Sequence, residues 1–208
     1  MKTYNIDKVR SELCPTGTLR AAINMTNALL VSSATQNGDP AGVSPDMAAH
    51  IAAELQVPLT LLPYPGPGYV ADALLNDEWD IGNIAAEPQR AKTICFSPAY
   101  CEIQATYLVF ENSSFISPDD VDTVGVKIAA KSRAAYELWL QENLKNATLE
   151  TTDSFESSRD LFVNQSLDAL AGLRASLLNE QATIAGTRIL SKPFTAVQQS
   201  IGLSLIHI

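Results

Sequence analysis

The stretch Leu19-Arg20-Ala21-Ala22-Ile23, followed by Ser44-Pro45-Asp46 and then Met47, Ile51 and Leu55, decides the fold class. The first five residues form an apolar run of strand length. Ser44-Pro45-Asp46 is a helix start signal, and Met47, Ile51 and Leu55 recur at i, i+4 and i+8, the spacing of one helical face. A strand followed closely by a helix is one βα unit, and the pattern repeats. Pro58 to Tyr64 reads as a strand, Val70 to Leu75 as a short helix and Asp80 to Ala85 as a strand. Glu87-Pro88 opens a helix expected to end near Ile94. Such alternation over short connections implies an α/β layered architecture with right-handed crossovers.

A second series follows the longer strand Glu102 to Phe110 and the turn Glu111-Asn112-Ser113-Ser114. It runs strand Lys127 to Ala130, helix Arg133 to Leu144 with Tyr136, Leu140 and Leu144 on one face, and strand Thr148 to Thr152. Helix Phe155 to Val163, strand Leu167 to Ala171, helix Arg174 to Gln181 and strand Arg188 to Leu190 complete it. Each series is the size of one small covered sheet, so two lobes joined near Tyr107 to Phe110 are expected, with a cleft between them as the ligand site.

Composition narrows the function classes. The 208 residues carry 14 Lys+Arg against 23 Asp+Glu, a net charge of −9. Such a chain is not drawn to phosphate backbones or anionic lipids, so nucleic acid is not an expected partner. The charge-free run Ala21 to Gly38 is interrupted by Asn24, Thr26, Asn27, Ser32 and other polar residues, too polar for a spanning helix. The start, Met1-Lys2-Thr3-Tyr4-Asn5-Ile6-Asp7, lacks the apolar stretch of a secretory signal. Cys14, Cys95 and Cys101 are odd in number and lack C-x-x-C spacing, so buried thiols are expected, with a Cys95–Cys101 disulfide as the alternative.

Several catalytic and cofactor patterns fail. The last six residues, Leu203-Ser204-Leu205-Ile206-His207-Ile208, resemble a translated sequencing-library adapter and are set apart from the fold as a foreign tail. That leaves His50, expected to face solvent on a helix, and removes multi-histidine metal sites and triads needing a second histidine. Gly66-Pro67-Gly68-Tyr69-Val70-Ala71 matches a dinucleotide fingerprint in form only: Pro67 removes a loop N–H, and an ordinary turn is expected. No cofactor and no metal is expected.

The string Asp80-Ile81-Gly82-Asn83-Ile84-Ala85-Ala86-Glu87-Pro88-Gln89-Arg90, followed by Phe96-Ser97-Pro98-Ala99-Tyr100, resembles the signature of the family 3 extracytoplasmic solute-binding proteins. Gly17-Thr18-Leu19-Arg20, Gly42-Val43-Ser44-Pro45-Asp46-Met47, Trp79-Asp80 and Leu167-Asp168-Ala169-Leu170-Ala171-Gly172 fall in the family's order. The resemblance implies a two-lobed periplasmic-binding-protein-like fold of type 2, each lobe a small mixed sheet flanked by helices, with C-terminal helices missing. Lobe 1 would span 1–107 with a short N-terminal helix, lobe 2 would span 108–195, and 196–202 would form the second crossover strand. It also implies a monomeric substrate-binding component of an ABC importer, working outside the cytoplasmic membrane with a permease as partner and without chemistry of its own. A lyase of cyclohexadienyl dehydratase type and a ligand-sensing domain are the alternatives. For the lyase the acid would be Glu102 or Asp46.

The resemblance also assigns contacts for a small-molecule solute. Arg90 occupies the position of the arginine that binds the ligand carboxylate, a role suited to a planar guanidinium with paired donors; the other reading is an i,i+3 pair with Glu87. Asn83 and Ala85 stand where the family often has small hydroxyl residues, and Asn24 and Asn27 lie at the first strand and its following loop, Asn27 in place of a stacking aromatic. In lobe 2 Ser132 is expected to cap a helix, with Ala134, Ala135 and Tyr136 as contacts, although Tyr136 also fits a core position beside Leu140. Arg174 falls near the acid that commonly holds the ligand ammonium, which points to a dicarboxylate or other anion; a surface arginine at a helix end is the alternative.

Overall fold

The computed structural model describes residues 5–34 and 38–204. The chain divides into two compact units, residues 1–100 with 199–208 and residues 101–198, so it passes from one to the other at Tyr100–Cys101 and at Gln198–Gln199.

The first unit runs α1 (Ile6–Leu13), β1 (Leu19–Asn24), β2 (Ser33–Ala34), β3 (Pro40–Ala41), α2 (Val43–Leu55), β4 (Leu59–Tyr64), α3 (Pro67–Ala73), β5 (Ile81–Ala85) and β6 (Ile94–Phe96). The second runs β7 (Cys101–Phe110), α4 (Pro118–Val121), β8 (Lys127–Lys131), α5 (Ala135–Asn143), β9 (Thr148–Thr152), α6 (Phe155–Asn164), β10 (Ala169–Leu173), α7 (Arg174–Thr183) and β11 (Thr187–Ile189). β12 (Thr195–Ser204) then returns the chain to the first unit.

In the first unit β4, β1 and β5 lie side by side and parallel, as the βα alternation predicts, while β12 runs antiparallel against β5 and β6. One face of this sheet packs Leu19, Ala21 and Ile81 against Ala48, Ala52 and Leu55 of α2; the other packs Ala22 and Ile84 with Val70, Ala73 and Trp79. The α2 contact keeps part of the expected face, Leu55 in the core and Ile51 packed against it, but centres it on Ala48 and Ala52. The helix starts at Val43, before Ser44, and its buried residues are Ser44, Pro45, Ala48, Ala52 and Leu55, while Met47 and Ile51 stay partly exposed. Small side chains let the helix lie close to the sheet, and the larger ones flank the contact. Gly42 makes the entry: its φ is 129°, and a Cβ there would meet the Leu30 carbonyl oxygen at 2.7 Å.

The helix expected after Glu87-Pro88 is a single 3-10 turn, Arg90–Lys92, and Ile94 belongs to β6 opposite Ser204. Burial explains the difference, since Ile94 is 1% exposed and joins the Trp79 cluster, a contact that the extended backbone provides. β12 also alters the reading of the tail. Leu203 pairs with Ile81 and Ser204 with Ile94, so the first two residues set apart as foreign are part of the sheet; 205–208, including His207, lie outside the described residues.

In the second unit β10, β8 and β9 are parallel and β7 is antiparallel to β10, with β11 on its other side. Leu108, Ala129, Phe162, Leu167, Leu170 and Leu177 form the core between this sheet, α6 and α7. The Asp122 carboxylate ties the strand entry together by accepting the N–H groups of Lys145, Asn146 and Ala147 at 2.8–3.0 Å.

The thiols are free, and only Cys14 is buried; Cys95 is exposed on β6 and Cys101 is partly exposed at the start of β7, which corrects the expectation of three buried thiols. His50 is exposed on α2, as expected. Gly66 and Pro67 form an ordinary start to the seven-residue α3. Among the described residues no helix is long and apolar enough to cross a membrane.

Candidate functional site

The parallel strands of the first unit end together, Asn24 opposite Tyr64 and, one residue earlier, Ile23 opposite both Pro63 and Asn83. Ligands of open α/β sheets collect outside this carboxyl edge, because the strand ends and the loops beyond them carry unsatisfied backbone groups. Asn24 opens the loop after β1, with its Oδ1 accepting from the N–H (3.2 Å) and hydroxyl (2.9 Å) of Thr26. Asn27 is buried. Its Oδ1 accepts from Leu29 N–H at 3.3 Å and its carbonyl accepts from Leu30 and Val31, so both asparagines shape the same loop.

Arg90 sits at the head of the 3-10 turn and is 6% exposed, and its Nη1 donates to the Ala85 carbonyl at 3.0 Å. The last carbonyl of β5 therefore aims the guanidinium. Glu87 is buried as well, and the Ala85 side chain contributes only a methyl at the strand end.

Asn83 is the unusual residue. It is 2% exposed, and neither its Nδ2 nor its Oδ1 has a hydrogen-bond partner among the described residues. A buried donor or acceptor left unmade costs about 1–3 kcal/mol, so an amide orphaned at both atoms is retained against stability. Gln199, beside Ala85 by register and 4% exposed, adds a polar group at this edge that sequence reasoning missed. The signal was present: Gln199 interrupts the alternating apolar positions Val197, Ile201 and Leu203.

In the second unit β8, β9 and β10 end at Lys131, Thr152 and Leu173. Ser132 does not cap α5. Its N–H bonds to the Thr152 carbonyl at 2.8 Å, Arg133 takes a left-handed φ of 62°, and the N-cap is Ala134, which has no side-chain acceptor. The fully buried Glu137 carboxylate does the neighbouring work, accepting the Arg133 N–H at 2.8 Å and a hydrogen bond from Gln141. Ala134, Ala135 and Tyr136 are buried in this turn. Tyr136 is buried; burial raises its hydroxyl pKa, and the backbone of Lys131 bonds to that hydroxyl. Burial lowers the pKa of the Lys131 ammonium, an effect opposed by Glu156.

Arg174 begins α7, and two nitrogens of its guanidinium, Nε and Nη2, bond within its own unit. Nε donates to Gln104 Oε1 at 2.7 Å, and Nη2 to the carbonyls of Ser191 (2.7 Å) and Leu190 (3.2 Å). Glu102 and Asp46 are exposed. A 370 Å³ cavity in the second unit, lined by Tyr107, Trp139, Phe194, Lys145 and Lys192 among others, includes none of the residues expected to bind solute. Among the described residues no cluster of His, Cys, Asp or Glu is suited to a metal.

Comparison with known proteins gives the family. The arginine-bound Gly52Ala mutant of ArgBP from T. maritima has a similar fold, with a TM-score of 0.73 and 20% identity over 97% of this chain and 92% of that one. A putative binding component of an ABC transporter from Wolinella succinogenes, complexed with lysine, superposes with a TM-score of 0.73 at 18% identity, covering 91% of this chain and 83% of that one. The ancestral amino acid-binding protein AncCDT-1, a precursor of cyclohexadienyl dehydratase, gives 0.72 at 20% identity, covering 98% and 86%. No curated protein sequence matches. Residues 19–195 match the family described as bacterial extracellular solute-binding proteins, family 3, and this chain belongs to that family.

Proposed function

We propose that this protein is the substrate-binding component of an ABC importer and captures a small, polar, carboxylate-bearing solute, an amino acid or a related anion, outside the cytoplasmic membrane. The observation that carries the reading is Arg90, a buried guanidinium aimed by the Ala85 carbonyl at the carboxyl edge of a parallel sheet. A planar cation so held selects a planar anion and discriminates against neutral solutes. Asn24, Asn27, Asn83 and Ala85 share that edge. In the second unit Ser132, Ala134, Ala135, Tyr136 and Arg174 occupy the same kind of edge and are the proposed contacts there, Ala135 and Tyr136 through backbone donors of the first turn of α5 and Arg174 through Nη1.

Family membership and fold relatives described as bound to arginine or lysine support capture without chemistry. Asp46 and Glu102, the two acids named for the lyase reading, are both exposed rather than enclosed, which favours the binder. The test is a thermal-shift screen of the full chain with amino acids, dicarboxylates and other anions. At least one carboxylate solute is expected to raise the melting temperature, and Arg90→Ala to remove the shift. A shift that survives Arg90→Ala overturns the assignment, and turnover of prephenate or arogenate overturns the binder reading.

A further inference from the structure

The two orphaned atoms of Asn83 carry information about the solute beyond its carboxylate. Alternation along β5 puts Asn83 on the same face as Ile81 and Ala85, the face packed by α2, while Gly82 backs onto Trp79. Its direct neighbours across the sheet are the apolar Ile23 in β1 and Ile201 in β12, and Gln199 of β12, diagonal to it opposite Ala85, makes no hydrogen bond to the amide. Towards the strand end the next residue on that face is Ala85, which carries only a methyl group.

The chemistry of the amide limits what can satisfy it. Nδ2 needs an acceptor and Oδ1 needs a donor. A carboxylate offers acceptors only and an ammonium donors only, so each leaves half of the amide unpaired. A primary carboxamide or a ureido group offers both side by side and closes two hydrogen bonds with Asn83 in one plane. It also brings no charge into an apolar setting.

We propose that Asn83 is the specificity residue of this site, and that the solute is a carboxylic acid bearing a second, neutral amide-like group, with Arg90 taking the carboxylate and Asn83 pairing with the carboxamide or ureide. The proposal rests on the solute-binding reading above and names the substrate class.

Calorimetric titration of the full chain with glutamine and citrulline, against glutamate and ornithine as charged counterparts, tests it. Glutamine and citrulline are expected to bind at least tenfold more tightly than either counterpart. Asn83→Asp is expected to cut that preference at least tenfold. Asn83→Leu, which removes both orphaned atoms, is expected to lose the preference while raising the melting temperature of the solute-free protein, and it keeps the test usable if the aspartate variant does not fold. Affinities for the amides and the charged counterparts within threefold of one another overturn the proposal, as does a preference unchanged in Asn83→Leu, the result expected if buried water satisfies the amide. Binding of other carboxylates but not of glutamine or citrulline overturns this inference alone. Failure of every carboxylate solute to bind overturns the solute-binding reading with it.

Discussion

Arg90 Nη1 donates to the carbonyl oxygen of Ala85 at 3.0 Å, so the strand that ends at Ala85 fixes the orientation of a cation five residues further on. Replacing Arg90 by Lys keeps the charge but loses the fork of parallel donors. Affinity for a carboxylate solute should fall roughly tenfold or more, about 1.4 kcal/mol, as read by isothermal titration. The melting temperature without solute should change less than the affinity does.

The Asp80 carboxylate, whose side chain is wholly buried, accepts from the Arg20 backbone N–H at 2.7 Å and from Arg20 Nη2 and Nε at 2.7 and 3.1 Å. The hydrogen bonds that the guanidinium donates to Asp80 raise the pKa of Arg20. Asp80→Ala would remove the acceptor of the Arg20 N–H and leave the guanidinium with Asp77 alone, and urea unfolding should show a loss of about 2 kcal/mol. Solute affinity, corrected for the unfolded fraction, should be kept.

Asp122 supplies the pH dependence. Burial acts to raise its pKa, but the N–H groups of Ala147, Asn146 and Lys145 outweigh burial and hold the carboxyl below its ordinary 3.8. A depressed folded pKa means that the stabilisation is full above 3.8 and is lost as pH falls through the lower folded value. Thermal midpoints between pH 6 and about pH 2 should therefore drop on the acid side. The drop should be smaller in Asp122→Asn, which retains an acceptor but has no proton to gain.

Ser132 and Glu137 can be separated by mutation. With Ala134 as the N-cap of α5, Ser132→Ala should change stability by less than about 0.5 kcal/mol. Glu137→Ala removes a buried acceptor from the Arg133 N–H and from Gln141, and should cost about 2 kcal/mol or more in chemical denaturation.

Much of the architecture was legible because the two periodicities differ so clearly. Leu19 to Ile23 and Asp80 to Ala85 are short apolar runs, and the helices between them carry one apolar face. Ile94 was misread because an apolar residue after a Pro-initiated turn looks alike in a helix and in a strand. Only β12, arriving from a hundred residues further along, makes it a strand. Ser132 was misread for a similar reason: a serine before an apolar run is the usual cap signal, and nothing local shows that Arg133 turns left-handed. Arg90 and Asn83 could be placed by motif. The unpaired state of the Asn83 amide depends on Ile23 and Ile201, residues distant in sequence, and so becomes visible only in three dimensions.

The position of β12 has a consequence for biosynthesis. β5, the strand that carries Asn83 and Ala85, is flanked on one side by β1 and on the other by residues 199–203, and the whole of the second unit is translated before that second neighbour exists. As the nascent chain leaves the ribosome, the second unit, continuous from 101 to 198, can close its sheet first, while the first unit waits with an open edge at β5. The first unit thus completes its sheet only when β12 docks on β5, after the intervening residues 101–198 have been made.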